Sequence, residues 1–442
     1  MRRFMIAGTR SGCGKTTITC AILAALKKRG LRTVSFKSGP DYIDPMFHRK
    51  MIGSGAYNLD SFFCDRDTLL FILDEYGAGS DIAVMEGAMG FFDGGEGSAH
   101  TLSGLTASPA VIVIDCKGMS ESIGAVMNGF LSYRKSNIAG FIFNRLPESL
   151  VPQVQEECRR LGTEYFGRFP QTSITFESRH LGLVTADETA DIQDKLCRLG
   201  ELAEEHLLLD RLLDTEAPEL PSYTPPVIER AAVSPVIAAA EDRAFCFQYP
   251  ENISLLEKLG CIVKKFSPMT DSRIPEADGL ILCGGYPELY AEQLSLNVSM
   301  RESIKAAVLS GLPTIAECGG FMYLHDELTD KEGRTFPMAG VIRGRAFPTE
   351  RLRRFGYITM TAAEDNILCK KGGRIRAHEF HYWDSENCGD CFTAEKRDGR
   401  SWECCHAAAS LYAGFPHIYL YSSISAAESF VRSCCERKES GK

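Results

Sequence analysis

Between a short apolar run, FMIAG, and an amphipathic stretch lies Gly8-Thr9-Arg10-Ser11-Gly12-Cys13-Gly14-Lys15-Thr16-Thr17. Few folds use such a loop. Its glycines let successive backbone N–H groups turn inward around an anion, and the helix that follows aims its positive end at the same point. Lys15 is placed for the β and γ oxygens of a nucleotide, and Thr16 offers a hydroxyl to Mg²⁺. Ile18, Ala21, Ile22, Ala25 and Leu26 recur at helical spacing, and Lys27, Lys28, Arg29 and Gly30 close the last turn. Strand, loop and helix together predict a nucleotide site with Mg²⁺ beside the phosphates.

The runs FMIAG, TVSFK, DIAVME, AVIVID and AGFIFN read as buried parallel strands separated by amphipathic stretches, the rhythm of an α/β fold. At 442 residues the chain exceeds what one core supports. Pro218, Pro221, Pro225, Pro226 and Pro235 crowd a stretch without periodicity, so a proline-rich linker is expected over 215–233. It would join an ATP-binding domain, 1–214, to a second α/β domain, 234–442. There the βα rhythm resumes with PVIAAAED, a helix through ISLLEKLG, then CIVKKF and DGLILCGG. A capping box is expected at Ser299-Met300-Arg301-Glu302, with Gly311 closing that helix.

A net charge of −9 gives no basic face for nucleic acid, and no run of eighteen apolar residues offers a membrane span. The opening MRRFMIAGT reads as a first strand rather than a signal peptide. Seventeen cysteines, an odd number with adjacent pairs such as Cys404-Cys405, do not form a secreted disulfide framework. Reduced thiols and a cytoplasmic location are expected. The pair Cys388 and Cys391 lacks a partner pair for zinc.

Two acidic clusters follow strands of the first half: GPDYIDP with Asp41, Tyr42 and Asp44, and EGAMGFFDG with Glu86 and Asp93. The carboxyl edge of a parallel sheet is its ligand crevice, which makes Asp41 and Glu86 metal candidates beside Thr16. For Asp44 and Asp93 turn chemistry beside Pro45 and Gly94 competes equally.

In the second half, strand-like PTIAE runs into Cys318-Gly319-Gly320 and a helix-compatible FMYL. This is a nucleophile elbow: a sharp turn projects the thiol, small neighbours admit substrate, and the helix start favours negative charge. Gly285, after strand GLILC, and Gly319 are candidate oxyanion donors. The thiol needs a base, and His378, His381, His406 and His417 lie downstream. A regular strand through HEFHY puts His378 and His381 on opposite faces. His417, at a turn into a strand, is the preferred base.

GTRSGCGKTT, FKSGPDYIDPMFH, NLDSFF, EGAMGFFDG, GFIFNR, LCGGYPELY, AECGGFMYL and HEFHYWDSE, in this order, resemble successive motifs of the cobyrinic acid a,c-diamide synthase family. The resemblance runs through nearly the whole chain. It implies a dethiobiotin-synthetase-like P-loop domain fused to a class I glutaminase-like domain. It also implies ATP-driven formation of an acyl phosphate on a tetrapyrrole carboxylate, a glutamyl thioester on Cys318, and ammonia passing from one domain to the other. Asp41, Tyr42, Asp44 and Asp93 match positions associated with substrate or metal there, and Gly12, Gly14, Thr17 and Asn144 fall in its nucleotide motifs. The first glycine stands at Gly8 rather than Thr9, as in dethiobiotin synthetase and the partition ATPases, where a lysine replaces Arg10; Arg10 is therefore a phosphate candidate. Class I glutaminases usually place a glutamate two residues after the histidine, but here that residue is Tyr419. A Cys–His dyad, or an acid supplied from elsewhere, is the consequence. The partners implied are cobyrinate, glutamine and ATP, and a homodimer is compatible with them. The related nickel-sirohydrochlorin a,c-diamide synthase carries the same motifs. A partition-type ATPase switch would leave AECGG and GGYPE unused, and GPDYIDP argues against cobyric acid synthase.

Overall fold

The computed structural model describes residues 1–441 except 54, 173, 175–185 and 353. The chain divides into two compact units, Met1–Pro226 and Val227–Lys442.

The first unit runs β1 (Arg2–Gly8), α1 (Lys15–Lys28), β2 (Thr33–Ser38), α2 (Ile43–Ile52), β3 (Ala56–Leu59), α3 (Arg66–Gly77), β4 (Ile82–Glu86), α4 (Ala99–Leu105), β5 (Ala110–Asp115), α5 (Ser122–Tyr133), β6 (Ile138–Asn144), α6 (Val151–Leu161), β7 (Glu164–Phe169), α7 (Ala186–His206) and α8 (Leu209–Leu213). The seven strands pair in parallel in the order β3-β2-β4-β1-β5-β6-β7. All five expected strands are present, and β2, β4 and β5 are buried at every position, as a sheet covered on both faces requires. The edge strands β3 and β7 were not anticipated. One side of the core packs Ile18, Ala21, Ile22, Ala25 and Leu26 of α1 with Phe4, Val84, Val111 and Ile142 of the sheet. The proline-rich stretch lies along this unit: Arg3 donates to the carbonyl of Pro218, Arg66 to that of Ser222, and Tyr223 to Asp74.

The second unit runs β8 (Val236–Ala240), β9 (Phe245–Phe247), α9 (Pro250–Lys258), β10 (Ile262–Phe266), β11 (Gly279–Leu282), β12 (Gly284–Gly285), α10 (Ala291–Leu296), α11 (Val298–Leu309), β13 (Thr314–Glu317) and α12 (Gly319–Leu324). It continues through β14 (His325–Thr329), β15 (Thr335–Pro337), β16 (Ile342–Pro348), β17 (Arg354–Ala362), β18 (Arg374–His381), β19 (Trp383–Ser385), β20 (Phe392–Glu395), β21 (Ser401–Cys404), β22 (His406–Ala408), β23 (Leu411–Gly414), β24 (His417–Ile418) and α13 (Ile424–Ser440). A six-stranded sheet, β10-β8-β11-β13-β23-β22, is parallel except for β22. This is the expected α/β layer. Two further sheets, β15-β14-β16-β19 and β21-β20-β17-β18-β24, are largely antiparallel and were not foreseen. The start of α11 also differs from expectation: Asn297 rather than Ser299 is the cap, its side chain accepting from the Met300 N–H at 3.4 Å. Asparagine is an equally good cap, and standing two residues earlier it takes the first turn.

Candidate functional site

In the first unit the loop between β1 and α1 is closed from two sides. Gly14 has φ 101°, and a Cβ there would stand 2.3 Å from Asn144 Nδ2, so only glycine fits. Asn144, ending β6, donates to the Cys13 carbonyl at 2.9 Å. Lys15 reaches across the loop, its Nζ donating to the carbonyls of Met89 (2.6 Å) and Arg10 (3.2 Å). Burial lowers its ammonium from the ordinary lysine value. Arg10 turns its guanidinium to Asp115 at 2.8 Å, where Arg145 also binds.

Below the loop, side chains from four elements, α1, β2, α2 and β4, meet. Thr16 donates to Glu86 Oε1 at 2.6 Å and lies 3.5 Å from Asp44 Oδ2. Lys37, from β2, was not singled out in the sequence. Its Nζ pairs with Asp44, with Glu86 at 2.8 Å and with Asp41 at 3.8 Å. His48 Nε2 stands 3.1 Å from Glu86 Oε2, both side chains fully buried. Burial opposes the Lys37 charge, yet Asp44 and Glu86 outweigh it and hold the ammonium above its usual range. At Glu86 burial is outweighed by Lys37 and His48, so the carboxylate stays ionised; at Asp44 burial and Asp41 win over Lys37, pushing the acid up to about 8.

The expected acids divide accordingly. Asp44 and Glu86 converge on Thr16. Asp41 instead turns one oxygen to the N–H groups of Ile43 and Asp44, opening α2, while Tyr42 beside it is buried. Exposed Asp93 closes its own turn, accepting from the Gly90 N–H at 3.2 Å. A hydroxyl and two carboxylates within hydrogen-bond distance form a hard-oxygen set, the donor chemistry that suits Mg²⁺.

In the second unit β13 ends at Glu317 and Cys318 turns the chain at φ 47°, ψ −101°, before α12. A non-glycine residue held there is a strained turn, the backbone of a nucleophile elbow. Its N–H is fixed to the Gly414 carbonyl at 2.7 Å. The loop Gly284-Gly285 packs directly against the elbow: a Cβ on Gly319 would lie 2.9 Å from the Gly285 nitrogen.

Of the four downstream histidines the structure brings His417 to the thiol. The two side chains are hydrogen-bonded, and His417 is buried. Burial of the ring works against its charge, but Cys318 and Glu317 outweigh that and raise it to about 10. Glu317 Oε2 lies 3.6 Å from His417 Nδ1, and Oε1 accepts from the Ile418 N–H at 3.0 Å. His378 is the register partner of His417 across β18 and β24, and burial pushes it down to about 3. His381 accounts for itself: Nδ1 meets the Trp383 carbonyl and the ring stacks on Phe415 at 4.0 Å. His406 meets the Asn387 carbonyl at 3.0 Å.

Two domain families match the chain. Residues 4–183 match the CobQ/CobB/MinD/ParA nucleotide binding domain, and residues 236–423 the CobB/CobQ-like glutamine amidotransferase domain. These matches, with the phosphate loop and the cysteine elbow, define a glutamine-dependent, ATP-using amide ligase. Cobyrinate a,c-diamide synthase of Listeria monocytogenes serotype 4b is 39% identical over 443 residues, covering 96% of this chain and 97% of that one. Proteins of the same name from Priestia megaterium (34% identical; 99% and 98% covered) and Thermoplasma volcanium (35%; 98% and 97%) are similar along their whole length. The chain belongs to the cobyrinate a,c-diamide synthase family.

Proposed function

We propose that this chain amidates the a and c acetate carboxylates of cobyrinate, the compound in its relatives' names, using ATP and glutamine. The observation that carries the reading is the occurrence in one chain of a closed phosphate loop over an acid–lysine cluster and a Cys318–His417 elbow. Each performs one half of an amide ligation.

In the first unit Arg10, Gly12, Gly14, Lys15, Thr17 and Asn144 frame the nucleotide phosphates. Transfer of the γ-phosphoryl group to a substrate carboxylate gives an acyl phosphate, and positioning with charge neutralisation supplies the catalysis. Lys15 leaves the Met89 carbonyl for phosphate oxygen, and Lys37 balances the charge beneath. Thr16, Asp44 and Glu86 would hold Mg²⁺, which when bound adds positive charge beside the phosphates; Asp44 then takes the metal role expected of Asp41, which keeps its expected substrate role. Asp41, Tyr42 and Asp93 are then the residues left to meet the substrate.

In the second unit Cys318 attacks the carboxamide carbon of glutamine while His417 delivers a proton to the departing nitrogen, leaving a glutamyl thioester and ammonia. The N–H groups of Gly285 and Gly319 face the oxygen that gains charge. Water then hydrolyses the thioester to glutamate. Ammonia attacks the acyl phosphate, phosphate leaves, and the amide forms. The seventeen cysteines stand as thiols, which supports work in a reducing compartment such as the cytoplasm.

The test is turnover by the purified chain. Cobyrinate with ATP and glutamine is expected to yield the diamide, with one ADP and one glutamate for each amide formed. Product from nickel-sirohydrochlorin and none from cobyrinate would overturn the substrate assignment.

A further inference from the structure

We infer that Glu317, the residue immediately before the nucleophile, is the positioning acid for His417 and completes a Cys318–His417–Glu317 triad. The inference rests on the glutaminase reading of this site. Position 419, where an acid is expected, is filled by packing: Tyr419 is buried and meets Tyr249 edge-to-face with centroids 4.9 Å apart. Glu317 is itself buried, at 8% exposure, and reaches the imidazole from the other strand. The elbow makes this possible. Because Cys318 reverses the chain at φ 47°, consecutive side chains address one ring, Glu317 at Nδ1 and Cys318 as a further partner of the same imidazole.

The second carboxylate oxygen accepts from the Ile418 N–H, so Glu317 holds the backbone that carries His417 as well as the ring. A carboxylate at Nδ1 fixes the tautomer and supports the imidazolium that forms with the thiolate. The 3.6 Å separation is one that substrate binding can tighten. The other titratable groups facing this pair are His378, Glu379 and His381 of β18 around His417, and Cys283 and Tyr412 around Glu317.

Glu317→Gln separates this role from a purely structural one, because a Gln oxygen still accepts from Ile418 while the charge is gone. With the full-length chain, glutamine-dependent amidation is expected to fall on the order of 10²-fold, with ammonium-driven amidation within about twofold of wild type. The alkaline limb of the glutamine pH profile should move to lower pH, since an imidazolium without its carboxylate loses its proton sooner. Cys318 alkylation by iodoacetamide at neutral pH, followed on its peptide by mass spectrometry, should slow in parallel. Wild-type glutamine turnover with an unmoved profile overturns the inference, as does an equal loss with both nitrogen donors while alkylation stays at the wild-type rate. Cys318→Ala is run beside it: glutaminase activity surviving there sinks the site itself, whereas an inactive Cys318→Ala with a fully active Glu317→Gln sinks only the triad.

Discussion

Gly284 lies against the imidazole of His417: a Cβ at position 284 would stand 2.5 Å from its Cε1. A bare backbone there is what lets the histidine enter between the β12 loop and the elbow. Gly284→Ala must displace the ring, and misplacement by about 1 Å costs on the order of 10²-fold. Glutamine-dependent turnover should fall by that order while ammonium-driven turnover persists, a split that paired steady-state assays would reveal.

His417 and His378 are register neighbours with different work. His417→Ala removes the group bonded to the thiol and should lower the glutamine-dependent rate roughly 10²–10⁴-fold. His378, pushed down to about 3 by burial, is a neutral packing residue, so His378→Ala should lower stability or both nitrogen-dependent rates together. A glutamine-only defect confined to His378→Ala would exchange their roles.

Lys37 places one positive charge among Asp41, Asp44 and Glu86. Lys37→Met keeps most of the volume but removes the cation that buried Asp44 and Glu86 share, a loss worth about 3–5 kcal/mol when one partner of a buried pair is removed. Urea unfolding should show a destabilised first unit, and amidation should fall equally with glutamine and with ammonium.

The Lys37 cluster also shows what the sequence could and could not reveal. GTRSGCGKTT and the cysteine elbow were legible because each is a local geometry written in adjacent residues. Lys37 sits inside the plain strand TVSFKS, and only the pairing of β2 with β4 puts it opposite Glu86. Glu317 escaped notice because its partner is a hundred residues away and an acid was sought beside Tyr419. In the antiparallel sheets of the second unit, strands such as Arg374–His381 break the in–out alternation, since His378 and Glu379 are both buried beside Ala377. The edge strand β3 offers only four residues.

His325 is buried, its Nδ1 on the Phe321 carbonyl and its Nε2 2.7 Å from Ser385 Oγ. Burial holds it down to about 4 against an ordinary 6.5. A folded value below the unfolded one means its contribution is complete above pH 6.5 and is lost as pH falls toward 4. Buried Glu379, raised to about 7, has the opposite slope, so the test is a difference. Relative to wild type, His325→Asn should flatten the loss of unfolding free energy between pH 6.5 and 4 by about 1.4 kcal/mol per pH unit.

The most direct test of the two-site account is the rate of amide formation by Cys318→Ala, measured with glutamine and again with ammonium chloride at saturating ATP. Only thioester formation uses the thiol. Glutamine should give no amide above background, and ammonium should support the wild-type ammonium rate. Equal loss with both donors, or amidation from glutamine without the thiol, would contradict the account.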